Sequence, residues 1–187
     1  VKTKQERRER GSSLIVVVII IAFMLAVGVA LLMTTGMTPK VSGSVRNQEE
    51  AFNAAEAGFE AARIQIENNL ASDAWTGLSA YCLQTPTGIN EPGQPNYFRN
   101  VSDLSLVNTL AAGTTGVIFY NQSYVQLPGG TNDPSRTYTV FLIDQGIAND
   151  ALLVSIGVVW SGKQTLATSR LEVDLGLQVT GTTGSTP

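Results

Sequence analysis

The sequence predicts an α+β protein: a long N-terminal helix, its first half transmembrane and its second half amphipathic, packed on a C-terminal antiparallel β-sheet. Three observations carry that prediction. Residues 14–33 are twenty consecutive apolar residues. Beyond them Val45, Phe52, Phe59 and Ile66 recur every seven residues, a helical period. Residues 116–179 then alternate apolar and polar side chains in short runs separated by turn residues, the pattern of strands.

The first element is the apolar run from Leu14 to Met33. At helical rise it spans about 30 Å, the hydrocarbon thickness of a bilayer. No charged residue lies between Arg10 and Lys40. A buried bundle helix would show a polar face, and this stretch has none. Lys2, Lys4, Arg7, Arg8 and Arg10 precede it against Glu6 and Glu9, so the N-terminal flank stays cytoplasmic and the body lies outside the inner membrane. Cleaved signal peptides have apolar cores of about 7–15 residues. This one is longer, and no small-residue cleavage pattern follows Met33, so the segment is expected to be retained. An opening valine is compatible with initiation at an alternative start codon.

Thr34, Thr35, Gly36, Thr38 and Pro39 come next. Proline removes a backbone donor and clashes one turn back, so a kink or local unwinding is expected here, with Gly28 as a second soft point. A plain membrane-exit hinge is the simpler alternative. Residues 41–70 read as an amphipathic helix roughly 45 Å long. Ala55 and Ala62 join the stripe of Val45, Phe52, Phe59 and Ile66, while Glu49, Glu60 and Glu67 lie opposite. Gln48 and Asn69 interrupt a second seam, so packing of the stripe on a sheet is preferred to a coiled coil.

Residues 72–115 are irregular, broken by Pro86, Gly88, Pro92, Gly93 and Pro95, with a short helix expected at Asp103–Ala111. A connection of this length is often functional or mobile. Strands are expected at Val117–Tyr120, continuing toward Tyr124–Leu127, at Thr137–Asp144, at Ala151–Trp160 and at Gln164–Val179. Ser161-Gly162-Lys163 is a hairpin turn. Short connections imply an antiparallel sheet with one wet face. The tail from Gly181 to Pro187 is polar and expected to be disordered.

Composition narrows the function. Charged residues are 14% of the chain, and its net charge is −3. Because residues 1–10 carry five cations and two anions, everything after Gly11 sums to −6. An acidic body neutralises few phosphates, so no nucleic acid is expected. There is no histidine, which removes the usual general base and the commonest metal ligand. Cys82 is the single cysteine, either a buried thiol or half of an intermolecular bridge. Gly129–Ser135 has oxygen donors, but too few carboxylates for calcium, and reads as a turn. Glu49, Glu50 and Glu56 read as a solvated helix face. Trp75, Trp160 and Tyr124 could form a sugar platform, with core or interface packing the default. The chain is expected not to be an enzyme and to hold no metal or cofactor.

The junction Arg10-Gly11-Ser12-Ser13-Leu14-Ile15-Val16 resembles the class III signal of type IV prepilins. A basic leader ends in glycine and the apolar helix begins at once. The resemblance implies that a prepilin peptidase cuts between Gly11 and Ser12, that the new amine of Ser12 is methylated, and that the helix stays on the mature subunit. Two positions depart from the usual pattern. Ser12 stands where most pilins have phenylalanine, and Val16 stands where most have a glutamate. A charge within a bilayer costs about 2.5–3.5 kcal/mol on insertion scales, so it persists where it has a partner. Subunits lacking it include minor pilins of the PilX type and K-type secretion pseudopilins, the latter placed at a filament tip. The run from Arg46-Asn47-Gln48-Glu49-Glu50-Ala51-Phe52 through Ala54-Ala55-Glu56-Ala57-Gly58 to Arg63 is similar to the PilX N-terminal region. The resemblance covers about residues 8–66.

It implies a pilin-like fold: leader 1–11, transmembrane and assembly helix 12–38, amphipathic helix 39–71, connecting region 72–115, sheet 116–180 and tail 181–187. Leu14, Val16, Gly28 and Pro39 belong to the assembly helix, and Val45, Phe52, Phe59 and Ile66 to the helix–sheet contact. The implied function is that of a minor pilin in type IV pilus assembly or initiation, with the filament tip as one location. The implied partners are other major and minor pilins, prepilin peptidase, the inner membrane and the pilus assembly platform. The subunit would sit in the inner membrane before assembly and in the extracellular pilus afterwards, where cell adhesion is a possible role. Alternatives are a type II secretion pseudopilin and a membrane-tethered adhesin with a retained N-terminus. K-type pseudopilins carry a larger helical insertion, for which this chain has no room.

Overall fold

A computed structural model describes residues 3–147 and 150–176, with side chains for residues 15–33, 42–147 and 150–176. The chain divides into two compact units, Val1–Val45 and Arg46–Pro187. Helix α1, Thr3–Ala71, contributes to both.

The first unit is helical throughout its described length. The unwinding expected at Thr34–Pro39 is not found, since the helical assignment passes through Pro39. One proline forfeits one backbone donor, and the helical backbone continues on both sides of it.

The second unit is built on a four-stranded antiparallel sheet in the order β1-β2-β3-β4. The strands are β1 Val117–Ser123, β2 Arg136–Asp144, β3 Asp150–Ser161 and β4 Gln164–Gly176. β3 and β4 meet across the predicted turn, where Gly162 supplies a positive φ of 61°, a conformation glycine adopts without strain. β1 stops at Ser123. The expected continuation through Tyr124–Leu127 is reduced to one isolated bridge, Gln126 with Asn132. β4 is described as far as Gly176, so the last residues of the expected strand and the tail 181–187 lie outside the described residues.

The sheet has no wet face along its central strands. β2 and β3 are buried on both sides. One core joins Tyr138, Val140, Leu142, Ala151 and Leu153 to Ala62 and Ile66 of α1, with Leu78 and Cys82. The other joins Phe141, Ile143, Leu152, Val154, Ile156 and Val158 to Leu83, Ile89, Phe98, Leu106, Val107 and Leu110. Residues 83–110 are therefore the cover of the second face, while Leu78 and Cys82 belong to the first.

The polar residues of the second cover hold it in shape. Asn90 Nδ2 donates to the Leu83 carbonyl at 2.7 Å and Asn100 Nδ2 to the Gln94 carbonyl at 2.9 Å. Ser102 caps α2, Asp103–Thr109, by accepting from the Ser105 amide, which satisfies one of the unpaired donors of a helix start. Arg170 of β4 pins this helix through Asp103, its Nε donating at 2.6 Å, and also donates to the Phe98 and Val101 carbonyls.

Candidate functional site

The first candidate surface is the apolar part of α1. Ile15–Met33 is long and apolar enough to cross a membrane, and none of it is buried inside the chain. Exposure of its large apolar side chains runs from 43% at Val27 to 74% at Leu32. Soluble monomers rarely leave a contiguous apolar patch of this size in water, so lipid or another protein covers it. Val16 lies in this segment and is exposed. A Cβ at Gly28 would meet nothing within 4 Å, so the glycine answers no packing need within the chain. Gly11, Ser12, Leu14 and Pro39 fall within the helix, but their side chains lie outside the described ones.

The second surface is where residues 46–71 of α1 lie on the sheet. The contact is made by small residues: Ala51, Ala54, Ala55 and Ala62 are fully buried, with Gly58 and Ile66 beside them. Phe59 is half-buried against the same core. Phe52, at 46% exposed, and Val45, at 52%, are not part of it, contrary to the sequence expectation. The physical reason is the pitch of the helix. A seven-residue repeat drifts about 20° per heptad around a straight α-helix, so a stripe running over three heptads turns by about 60° and does not keep facing one sheet. The stripe enters the contact only at Phe59 and Ile66. The spacing 51, 54, 55, 58, 62 tracks the contact instead, as steps of three and four do.

The approach is close because both sides give up side chains. A Cβ on Gly157 of β3 would stand 2.0 Å from the Ala51 carbonyl oxygen and 2.6 Å from the Ala55 amide nitrogen. A Cβ on Gly58 would stand 2.7 Å from Ser155 Oγ and 2.8 Å from Tyr138 Cδ2. Between the two glycines the Ser155 hydroxyl donates to the Ala55 carbonyl at 2.6 Å. The Ala54-Ala55-Glu56-Ala57-Gly58 tract is thus the imprint of β3 on the helix.

A charged chain closes the upper edge of this contact. Glu50 accepts from Arg136 Nε at 2.8 Å and from Arg46 Nε at 3.0 Å, and Arg136 Nη1 reaches Asp133 at 2.7 Å. Hydrogen bonding to Arg136 holds the Glu50 carboxyl below its usual range. Asp133 is also lowered, chiefly by the Ser135 hydroxyl and amide that donate to it. Glu50 therefore staples the helix to β2 and is not part of a merely solvated face, whereas Glu49 and Glu56 are exposed. The segment 129–135 is a turn closed by Asp133, whose oxygens are engaged by Ser135 and Arg136.

The three aromatics do not form one platform. Trp75 stacks on Tyr81 with centroids 4.2 Å apart. Trp160 donates to Thr137 Oγ1 at 3.0 Å and packs on the second-face core, while Tyr124 packs on the other. Cys82 is a free, buried thiol donating to the Leu78 carbonyl, and burial pushes its pKa up to about 12.

Sequence reasoning missed Glu50, Ser155 and Gly157. Two had readable signals. Glu50 sits four residues after Arg46, within reach on a helix. A glycine inside an apolar strand marks a close backbone approach. No curated protein and no solved structure matches the chain. Residues 10–60, which span the bare apolar segment and the first part of the small-residue contact, match the family model described as PilX N-terminal, so this part of the chain is similar to the N-terminal region of pilins related to type IV pili.

Proposed function

We propose that this chain is a minor pilin that takes part in the assembly or initiation of a type IV pilus. The observation that carries the reading is the uncovered apolar helix Ile15–Met33 inside a PilX N-terminal match. In the bilayer, lipid covers it. In a filament, neighbouring helices take the place of lipid. Prepilin peptidase cuts between Gly11 and Ser12 on the cytoplasmic side, removing the basic leader and leaving the anchor. The Ser12 amine is then methylated, and the subunit waits in the inner membrane until the assembly platform extracts it among other pilins.

The role is structural, without catalysis or cofactor. Val16 supports a terminal or initiating position, because a subunit without the usual glutamate offers no carboxylate to the amine of a neighbour. A K-type pseudopilin is disfavoured. Among the described residues, helical structure between α1 and β1 is limited to Ser79–Tyr81 and Asp103–Thr109. Mass spectrometry of the protein from sheared filaments tests the proposal: a mature chain beginning at Ser12 is expected, and a filament-borne chain still carrying residues 1–11 overturns it.

A further inference from the structure

The PilX-type motif places two kinds of residue side by side on α1. Ala51, Ala54 and Ala55 turn inward to the sheet, and Phe52, 46% exposed, stands on the flank of that contact. Glu49 and Glu56 are also exposed. They stand three residues before and four after Phe52, its immediate neighbours on a helix surface. Further along the same helix the charges satisfy each other, since Arg63 bridges Glu60 at 3.0 Å and Glu67 at 3.3 Å. Glu49 and Glu56 have no ion pair among the described residues, so an aromatic ring stands between two bare carboxylates.

We propose that this patch docks on a different subunit, one that presents lysine or arginine around an apolar socket; the proposal rests on the assembly reading above. Charge complementarity selects the occupant. A second copy of this chain is a poor match. Of its described cations, Arg46, Arg63, Arg99, Arg136 and Arg170 are all committed to internal carboxylates. Among the cations whose side chains are described, Lys163, in the β3–β4 turn, is the one without an ion pair. The chain after Gly11 is also net negative by six charges, so two such bodies repel. An exposed aromatic supplies the contact area of an interface anchor, and the flanking charges decide which partner is accepted.

The test uses the full chain in cells that make the filament. The photo-crosslinking residue p-benzoylphenylalanine is placed at position 52, and in a control at position 23 within the apolar segment. The expected result at position 52 is an adduct with a different filament subunit, whose crosslinked peptide contains lysine or arginine. Reversing both charges, Glu49→Lys with Glu56→Lys, should lower that adduct about tenfold or more. The level of the chain in the membrane and its thermal melt should not change, because neither glutamate makes an internal ion pair. An adduct only with a second copy overturns the inference. So does an adduct insensitive to charge reversal, or no protein adduct at position 52 when position 23 crosslinks to filament subunits. Failure at both positions in intact filaments defeats the assembly reading itself.

Discussion

Replacing Gly157 by alanine tests the seat of α1 on the sheet. The new Cβ would lie 2.0 Å from the Ala51 carbonyl oxygen, whereas ordinary contact begins at 3.4 Å. The obstruction is backbone, so no rotamer change relieves it, and the helix must retreat by the difference, about 1.4 Å. Overpacking of this kind costs about 1–3 kcal/mol. Retreat also lengthens the Ser155–Ala55 hydrogen bond, now 2.6 Å, which is worth about 1 kcal/mol. The total is about 3 kcal/mol, a large share of the stability of a domain this size, and corresponds to a fall in Tm of about 10 °C. The assay is thermal unfolding of the full chain in detergent, followed by the fluorescence of Trp75 and Trp160. Gly58→Ala should be milder, because its nearest obstacles are the Ser155 and Tyr138 side chains. Gly43→Ala meets nothing within 4 Å and should be neutral or slightly stabilising, as alanine favours helix. A Gly157→Ala chain that melts with the Gly43→Ala control would refute the close-contact account.

Three further outcomes are expected. Glu50→Gln should cost about 1.5–3 kcal/mol at neutral pH, because it weakens charged hydrogen bonds to Arg136 and Arg46. The folded pKa of Glu50 is depressed, so its contribution is complete above the unfolded carboxylate value and is lost as pH falls through the folded one. Melts of the parent should therefore drop more steeply than those of the variant below about pH 4. Cys82, buried with its pKa pushed up to about 12, should resist alkylation at mildly alkaline pH until denaturant is added; rapid labelling of the native chain contradicts its placement. Gly11→Val should block removal of the leader and abolish incorporation into filaments while the body remains displayed in the membrane. Normal incorporation of the uncut variant would overturn the requirement for cleavage at Gly11.

How much of this was legible in the sequence depended on whether a residue's partner was close in sequence. The apolar run, the helix through Ala71 and the hairpin at Gly162 are local features, and each is where its pattern places it. Burial of both sheet faces was present in the letters. Tyr138, Val140 and Leu142 alternate with Phe141 and Ile143, so both sides of β2 are apolar, which is the mark of a strand covered twice. What hid the second cover was its appearance. Residues 72–115 look like a solvated loop because asparagine and serine interrupt every period, yet those side chains serve the backbone while Ile89, Phe98, Leu106 and Leu110 go to the core. The helix–sheet contact failed differently. Large residues at seven-residue spacing suggested the buried stripe, but the true contact uses alanine and glycine, whose value lies in letting two backbones approach.

Val16 bears on how the apolar segment can leave the bilayer. A glutamate there would cost about 2.5–3.5 kcal/mol in lipid, offset when it meets an amine in the filament. Valine is at no disadvantage in lipid and gains no ion pair on assembly. Lipid tails are as apolar as valine or leucine, so the hydrophobic effect does not favour protein neighbours over lipid. What remains within the membrane segment is close packing, and Ala22 and Ala26 have the four-residue spacing that lets another helix come near. Ala22→Leu with Ala26→Leu keeps the span apolar and of the same length while filling that face. Membrane insertion, measured by fractionation, should be unchanged. The amount recovered in sheared filaments should fall several-fold, since loss of about 1 kcal/mol of helix packing is roughly a fivefold change in partition. Equal recovery of variant and parent would show that the segment serves only as an anchor and that the body carries the assembly contacts.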